Sequence, residues 1–399
     1  MDKTTTRKSI HLSWVFQMAA ACSLVLIYLI QWSTMISIPS QRTGTDFIAF
    51  YAAGRISQQS GYSSVYNIEA QHAIEQLVVG FDLAREQVLL YNHIPFLIPI
   101  LKLLVTADYV GSFIRWALLM LGVYIASTIF FLNKVFPDPK DKARSAALMG
   151  TLTFFPFFIS LLLGQDTALL FLGVCLWYVG ILKKQDWLAA TGLALTTIRP
   201  QICLTLAIPL FFRYRKVWWR FFVIAALLAL ASILMLGKEG TLDFINLLRI
   251  SAGGTWYGMN QSAMLNLIGL ILRTLPWLDA GLVRAVGWVG YLTGIGLLSV
   301  LWFKAPILEG CLLSKSIIIA LLFAPHLHFH DLTLLIIPLI FAIRLHALKI
   351  PSNWLTLLPL VISLLFVLEP LRYILPYVLY AALFWWFTKN KSESTQIFS

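Results

Sequence analysis

The chain has 399 residues, 59% hydrophobic and only 12% charged, with a formal net charge of +12 at pH 7 and a mean hydropathy of +0.81. Soluble domains carry roughly 25% charged residues, so the composition excludes an ordinary soluble globular protein and leaves an integral membrane protein with many helices. The positive excess would suit a nucleic-acid partner, but its distribution along the chain assigns it to membrane topology instead.

The N-terminus is basic (Lys3, Arg7, Lys8) and runs into an apolar stretch from Trp14 to about Ile38. That stretch is too long for a signal-peptide core and has no small-residue cleavage site, so it reads as an uncleaved signal anchor. An Ala-Ala-Ala-Cys run ends at Cys22 without the leucine of a lipoprotein site. Cys22, Cys175, Cys203 and Cys311 lie in apolar runs without CxxC pairing and read as small core hydrophobes, not as a disulfide or metal framework.

Apolar runs predict about twelve spans, at 14–37, 111–132, 146–163, 167–182, 187–198, 201–212, 217–236, 280–303, 315–326, 330–346, 353–368 and 372–388. Several are short of the ~20 residues of a full crossing, and 187–212 can be drawn as one kinked span or two short ones. With the N-terminus inside, the inner segments hold nineteen of the thirty Lys and Arg and six acids. This positive-inside pattern accounts for the whole net charge without nucleic acid. Joining 187–212 into one span would put the basic Arg213–Arg220 segment outside, so the pattern favours the split.

Two outer regions interrupt the spans. The first, 37–110, holds helix-like pieces at Asp46–Gln59, Asn67–Val79 and Ile94–Val105, read as helices along the membrane surface with Tyr and Phe at headgroup depth. The second, 237–279, holds short amphipathic pieces at Leu242–Ile250 and Ser262–Thr274. A polar tail, 389–399, reads as cytoplasmic and disordered. There is no internal repeat, so the chain reads as one integral membrane domain over 1–399.

Polar groups at outer span ends carry the chemical information, because ionisable residues at membrane depth are costly unless paired or used. Asp46 follows the first span and is either a helix cap or a functional acid. Gly164-Gln165-Asp166 fills a tight turn that ordinary capping would also explain. Arg199, before Pro200 and Gln201, stands at a helix break and is either a phosphate-binding cation or a side chain snorkelling to headgroups. Asn260-Gln261-Ser262 opens a helix and formally matches an N-glycosylation acceptor. Pro325–Asp331 places His326, His328, His330 and Asp331 at one outer turn. Their spacing lacks helical zinc geometry, so hydrogen bonding to hydroxyls or phosphate is favoured and no metal is expected.

In order, these motifs are D-F-x-x-F-Y-x-A-G at Asp46–Gly54, G-x-x-x-x-Y at Gly61–Tyr66, Y-x-x-x-P-F at Tyr91–Phe96, L-G-Q at Leu163–Gln165, R-P-Q at Arg199–Gln201, N-Q-S at Asn260–Ser262 and the late histidine motif. Together they resemble glycosyltransferase family 87, the polyprenol-phosphate-mannose-dependent α-mannosyltransferases of the GT-C superfamily. Ala324 stands where that family often has Ser.

The resemblance implies an all-α polytopic membrane protein: a GT-C-type bundle of about twelve transmembrane helices, with amphipathic surface helices in the first outer loop. It implies Asp46 as catalytic base. Around the donor phosphate and substrates it implies Arg199, Gln201, Gln165, Asn260, Gln261, His326, His330 and Asp331, with Arg55 and Tyr51 from the first loop. The expected reaction moves a hexose, mannose by resemblance, with inversion from a polyprenyl-phosphate donor to a lipid or glycan acceptor. The expected site lies on the outer face of the cytoplasmic membrane, with both termini inside and no cofactor. A lipid-linked glycan polymerase or ligase and a polytopic transporter or flippase are the competing readings. Against transport stands the clustering of polar motifs at outer ends rather than at the membrane midplane.

Overall fold

The computed structural model of the chain describes residues 3–38, 46–138, 141–253, 256, 260–304, 309–347 and 357–390. The structure is 83% helical, with no strand among the described residues. In lipid every backbone N–H and C=O must be satisfied within the segment, and a chain this apolar meets that demand with helices. The result is an all-α polytopic membrane protein.

Helix α1 (Lys3–Ser37) is the first apolar run. The first outer region then supplies α2 (Phe47–Gln59), α3 (Ile68–Val79) and α4 (Ile98–Leu104). There follow α5 (Tyr109–Val135), α6 (Lys142–Leu152), α7 (Phe155–Leu163), α8 (Thr167–Leu182), α9 (Asp186–Thr196), α10 (Pro200–Ala207) and α11 (Arg215–Ala252). The C-terminal part comprises α12 (Leu267–Thr274), α13 (Ala280–Lys304), α14 (Glu309–Phe323), α15 (Ile336–Ala347), α16 (Leu358–Val367), α17 (Glu369–Arg372) and α18 (Leu375–Lys389). Five stretches are by length and composition able to cross a membrane: Trp14–Ser37, Tyr109–Val135, Ala143–Leu163, Arg215–Ala252 and Ala280–Lys304. Five shorter apolar helices accompany them, at Pro95–Leu104, Thr167–Leu182, Pro200–Phe212, Gly310–Phe323 and Leu358–Val367.

Several expected boundaries shift for local reasons. The predicted run 315–326 is helical only to Phe323, because Pro325 disfavours helix in the residue before it. The break expected at 237 is a glycine inside α11 with φ 68° and ψ −174°, a conformation that L side chains rarely adopt. The tail after Lys389 lies, from residue 391 on, outside the described residues.

The structure also resolves the 187–212 ambiguity. The helix stops at Thr196 and restarts at Pro200. Asp186, at the start of α9, pairs at 2.6 Å with Arg220 near the start of α11. A single kinked span would hold those two residues at opposite ends, so α9 and α10 are two short legs. Asp141 and Arg344, from two other basic segments, pair at 3.1 Å. The close α8–α9 packing depends on glycine: a Cβ on Gly192 would meet the Trp177 backbone nitrogen at 2.4 Å.

One expectation is corrected. Helix α2 is not a half-exposed surface helix; Phe47 through Gly54 are all buried, as are Ile56 and Ser57. It is enclosed by α3, α4, α5 and the Tyr62–Ser64 turn, so its aromatic residues form core contacts such as Phe47 against Phe113 at 5.4 Å. Helix α3 does behave as a surface helix, with Ile74 buried and Leu77 exposed. Cys22 is likewise exposed on α1, while the other three cysteines are buried.

Candidate active site

Asp46 stands at the N-cap of α2, but its backbone is already helical (φ −66°, ψ −16°) and its side chain makes no cap hydrogen bond. A capping aspartate adopts extended dihedrals and folds its carboxylate back onto the first turn; Asp46 does neither. Its carboxylate instead accepts a hydrogen bond from the Gln165 amide nitrogen. Gln165 is placed by Gly164, which ends α7 in the left-handed region at φ +76°, where glycine is favoured. The Gln165 backbone N–H then bonds back to Ser160 O at 2.9 Å, closing the turn that aims the side chain.

The far end of the Gln165 amide connects to Arg199. Pro200 forces Arg199 out of helical geometry (φ −125°, ψ 82°), and the guanidinium turns into the protein, with the residue only 8% exposed. Its Nη2 donates to Gln165 Oε1 at 3.1 Å and lies 3.0 Å from Asp166 Oδ1. Its Nε lies 3.3 Å from Asp331 Oδ1. Asp166 makes no cap hydrogen bond for α8 and is held from its other oxygen by His93 Nδ1 at 2.9 Å. Burial opposes ionisation of both acids. The Arg199 guanidinium beside both acids prevails, helped by the close His93 contact on Asp166 and by the His328 N–H on Asp331. Both carboxyls stay below the usual carboxylate range.

The late turn brings the third part. The His328 N–H donates to Asp331 Oδ2 at 3.2 Å, and His330 Nε2 lies 3.6 Å from Asp331 Oδ1. Burial pushes the His326 imidazole down to about 3 and His328 down to about 4, with the neighbouring histidines and Arg199 acting in the same direction. His330 is lowered too. All three are therefore neutral near pH 7 and offer hydrogen bonds rather than charge. His326 and His328 pack edge to face, with ring centroids 4.6 Å apart. Among the described residues no group of three His, Cys, Asp or Glu has metal-holding geometry.

These elements surround a cavity of about 440 Å3. Its polar lining residues are Asp46, Asn260, His328, His330, Arg372 and Tyr373; its apolar ones are Ile159, Leu163, Ala263, Leu265 and Phe329. Among the described residues, Asp46 and Arg372 are its charged lining side chains. Arg372 is tied by Nε to Phe366 O at 2.7 Å and by Nη2 to Val367 O at 3.0 Å, with its guanidinium 5.0 Å from the Phe155 ring centre.

The structure thus gathers Asp46, Gln165, Arg199 and Asp331 into one bonded group, with the His330 ring 3.6 Å from Asp331. Asn260 lines the cavity while its side chain accepts from Ala263 N. Gln201 donates to His326 O at 3.0 Å, fixing the turn from behind. Gln261 begins a short 3-10 turn beside Asn260. Two expected residues are elsewhere: the Tyr51 hydroxyl donates to Ala107 O at 3.2 Å, and Arg55 donates to Gln58 at 2.9 Å, so neither lines the cavity.

His93, Arg372 and Tyr373 are not singled out by the sequence, and His328 is singled out there only as one of the late cluster. His93 lies inside the Tyr91–Phe96 motif, just before Ile94-Pro95, which was the available signal. Arg372 was assigned to the start of an apolar run, whereas it closes a separate four-residue helix between α16 and α18.

A family model described as Glycosyltransferase family 87 matches residues 93–325, more than half of the chain. The match takes in His93, Gln165, Asp166, Arg199 and Asn260; Asp46, the late histidines and Arg372 lie outside it. No curated protein matches the chain.

Proposed function

The chain belongs to glycosyltransferase family 87, and from that premise we propose that it transfers a hexose from a polyprenyl-phosphate donor to an acceptor hydroxyl, with Asp46 as base. That it is a glycosyltransferase follows from the family. The donor, the sugar (mannose, by family resemblance), a lipid-linked or glycan acceptor and the outer face of the cytoplasmic membrane are the further parts of the reading.

The observation that carries it is Asp46: a carboxylate that leaves its own helix uncapped, is held by Gln165 and faces a cavity. In the reaction the acceptor hydroxyl gives its proton to Asp46 as its oxygen bonds to the anomeric carbon. The bond from that carbon to the donor phosphate breaks, and the electron pair leaves on the phosphate oxygen. A single displacement inverts the centre, so a β-linked donor gives an α-linked product. His328 and His330, neutral and lining the cavity, hydrogen-bond sugar hydroxyls or phosphate. Arg199 supports the reaction through the residues it braces, Gln165 and Asp331.

The test uses membranes carrying the protein, labelled polyprenyl-phosphate mannose and a panel of acceptors. Asp46→Asn should lower the transfer rate by on the order of 10²–10⁴. A variant that transfers as fast as the parent removes Asp46 as base, and a parent that uses no lipid-phosphate sugar removes the donor assignment.

A further inference from the structure

Arg199 and Arg372 both stand near the cavity, and their surroundings differ in a way that assigns them different work. Arg199 is flanked by Asp166 and Asp331 and also satisfies Gln165. Its charge is more than matched by two buried acids, and with Asp46 close by through Gln165 this side of the site is net negative. An incoming phosphate would meet repulsion there, and Arg199 could reach it only by releasing a carboxylate into a buried environment, which is strongly unfavourable.

Arg372 has the opposite surroundings. It lines the cavity, bonds only backbone carbonyls, and forms no ion pair with any carboxylate among the described residues. Glu369, in the same short helix, is exposed and makes no ion pair with it. The two carbonyl bonds use Nε and Nη2 and fix the plane of the guanidinium, leaving Nη1 without an acceptor among the described residues. Ile159 and Leu163 of α7 line the same cavity and give it apolar surface one helical turn apart, where the first isoprenoid units of a lipid donor can pack.

We infer that Arg372, and not Arg199, receives the donor phosphate, with the first isoprenoid units against Ile159 and Leu163 and the acceptor hydroxyl directed toward Asp46. This rests on the lipid-phosphate reading above and deepens it. As the sugar departs, the phosphate passes from a singly charged diester to a monoester with a second negative charge, and Arg372 meets that developing charge. The two charged lining residues thus take different parts, Asp46 the base and Arg372 the partner of the leaving group. The neutral state of His328 and His330 agrees with these roles, because it leaves Arg372 as the cation of the cavity lining among the described residues.

The experiment measures equilibrium binding of labelled polyprenyl phosphate, and separately of the uncharged polyprenol, to the purified full-length protein in lipid nanodiscs. Parent, Arg372→Gln, Arg372→Lys and Arg199→Gln are compared. Arg372→Gln should weaken phosphate-lipid binding by ~10–100-fold and leave polyprenol binding unchanged, with Arg372→Lys recovering part of the loss. Equal binding of the phosphate lipid by parent and Arg372→Gln overturns the assignment while the lipid-phosphate reading stands. Equal loss of both lipids also overturns it, since that marks a merely structural role. A parent that does not bind polyprenyl phosphate sinks the donor reading and this inference together.

Discussion

Arg199 Nε and Asp331 Oδ1 lie 3.3 Å apart although 132 residues separate them in the chain. That pair fastens the break between α9 and α10 to the late histidine turn, and through Gln165 it reaches the acid at the start of α2. Removing one partner of a buried ion pair leaves an uncompensated charge, which costs about 3–5 kcal/mol. Arg199→Met, which strands two acids, should therefore lower the apparent Tm in detergent much more than Asp331→Asn, which leaves Arg199 with Asp166. If both substitutions shift Tm equally, the asymmetry argued from the ion pairs is absent.

Gln165 touches Asp46 and Arg199 but does not line the cavity, so it acts by positioning. Gln165→Leu keeps the volume and removes both hydrogen bonds. The turnover of the transferase should fall about 10- to 100-fold, the cost of ~1–3 kcal/mol for a buried group left unpaired, with the donor KM little changed. A changed donor KM at unchanged turnover would place Gln165 in donor binding instead.

Gly164 is fixed twice over. Its φ of +76° favours glycine, and an added Cβ would meet Phe47 Cβ at 2.5 Å. Gly164→Ala must move the turn or α2, and either displaces Gln165 from Asp46. The expected results are a destabilisation of at least ~1 kcal/mol and a loss of transfer comparable to that of Gln165→Leu. Thermal unfolding and initial rates on the same preparation check both.

Glu75, on α3 in the first outer region, is 2% exposed. Its Oε2 accepts from Leu89 N at 3.0 Å and its Oε1 has no partner among the described residues. Burial pushes its carboxyl up to about 8, and the Leu89 N–H offsets only part of that. The folded state then holds a proton that the unfolded state releases near the ordinary glutamate value. The contribution to stability is fully present below about pH 4.3 and is lost as pH rises to about 8, by about 1.4 kcal/mol per unit. Glu75→Gln keeps an acceptor for Leu89 and should flatten the fall in apparent Tm between pH 5 and pH 9 (about the range set by those two values). An identical slope in parent and variant would contradict the buried acid.

The histidine turn carries the opposite pH dependence. His326 and His328 are held neutral down to about 3 and about 4, while an unfolded histidine takes up a proton near ~6.5. The unfolded state binds more protons across that window, so stability contributed at neutral pH is lost as pH falls from about 6.5 toward 4. His326→Asn should reduce the acid sensitivity of the apparent Tm. An unchanged acid slope would show that the turn is not the cause.

Much of this protein is legible in the sequence because hydropathy, glycine and proline act locally. The apolar runs specified the helical class; Pro200 and Gly237 specified where helices break; and the basic segments grouped Asp186 with Arg220 and Asp141 with Arg344 on shared ends. Tertiary structure alone decided between residues whose local settings are alike. Asp46 and Asp166 both follow an apolar run and precede a helix, yet one faces the cavity and the other is buried against Arg199 and His93. Arg199 and Arg372 are both cations at helix ends beside a proline motif, yet one is enclosed by acids and the other is not. The reason is physical: spacing along the chain governs backbone geometry, but the charge a side chain presents depends on partners that packing brings from more than a hundred residues away.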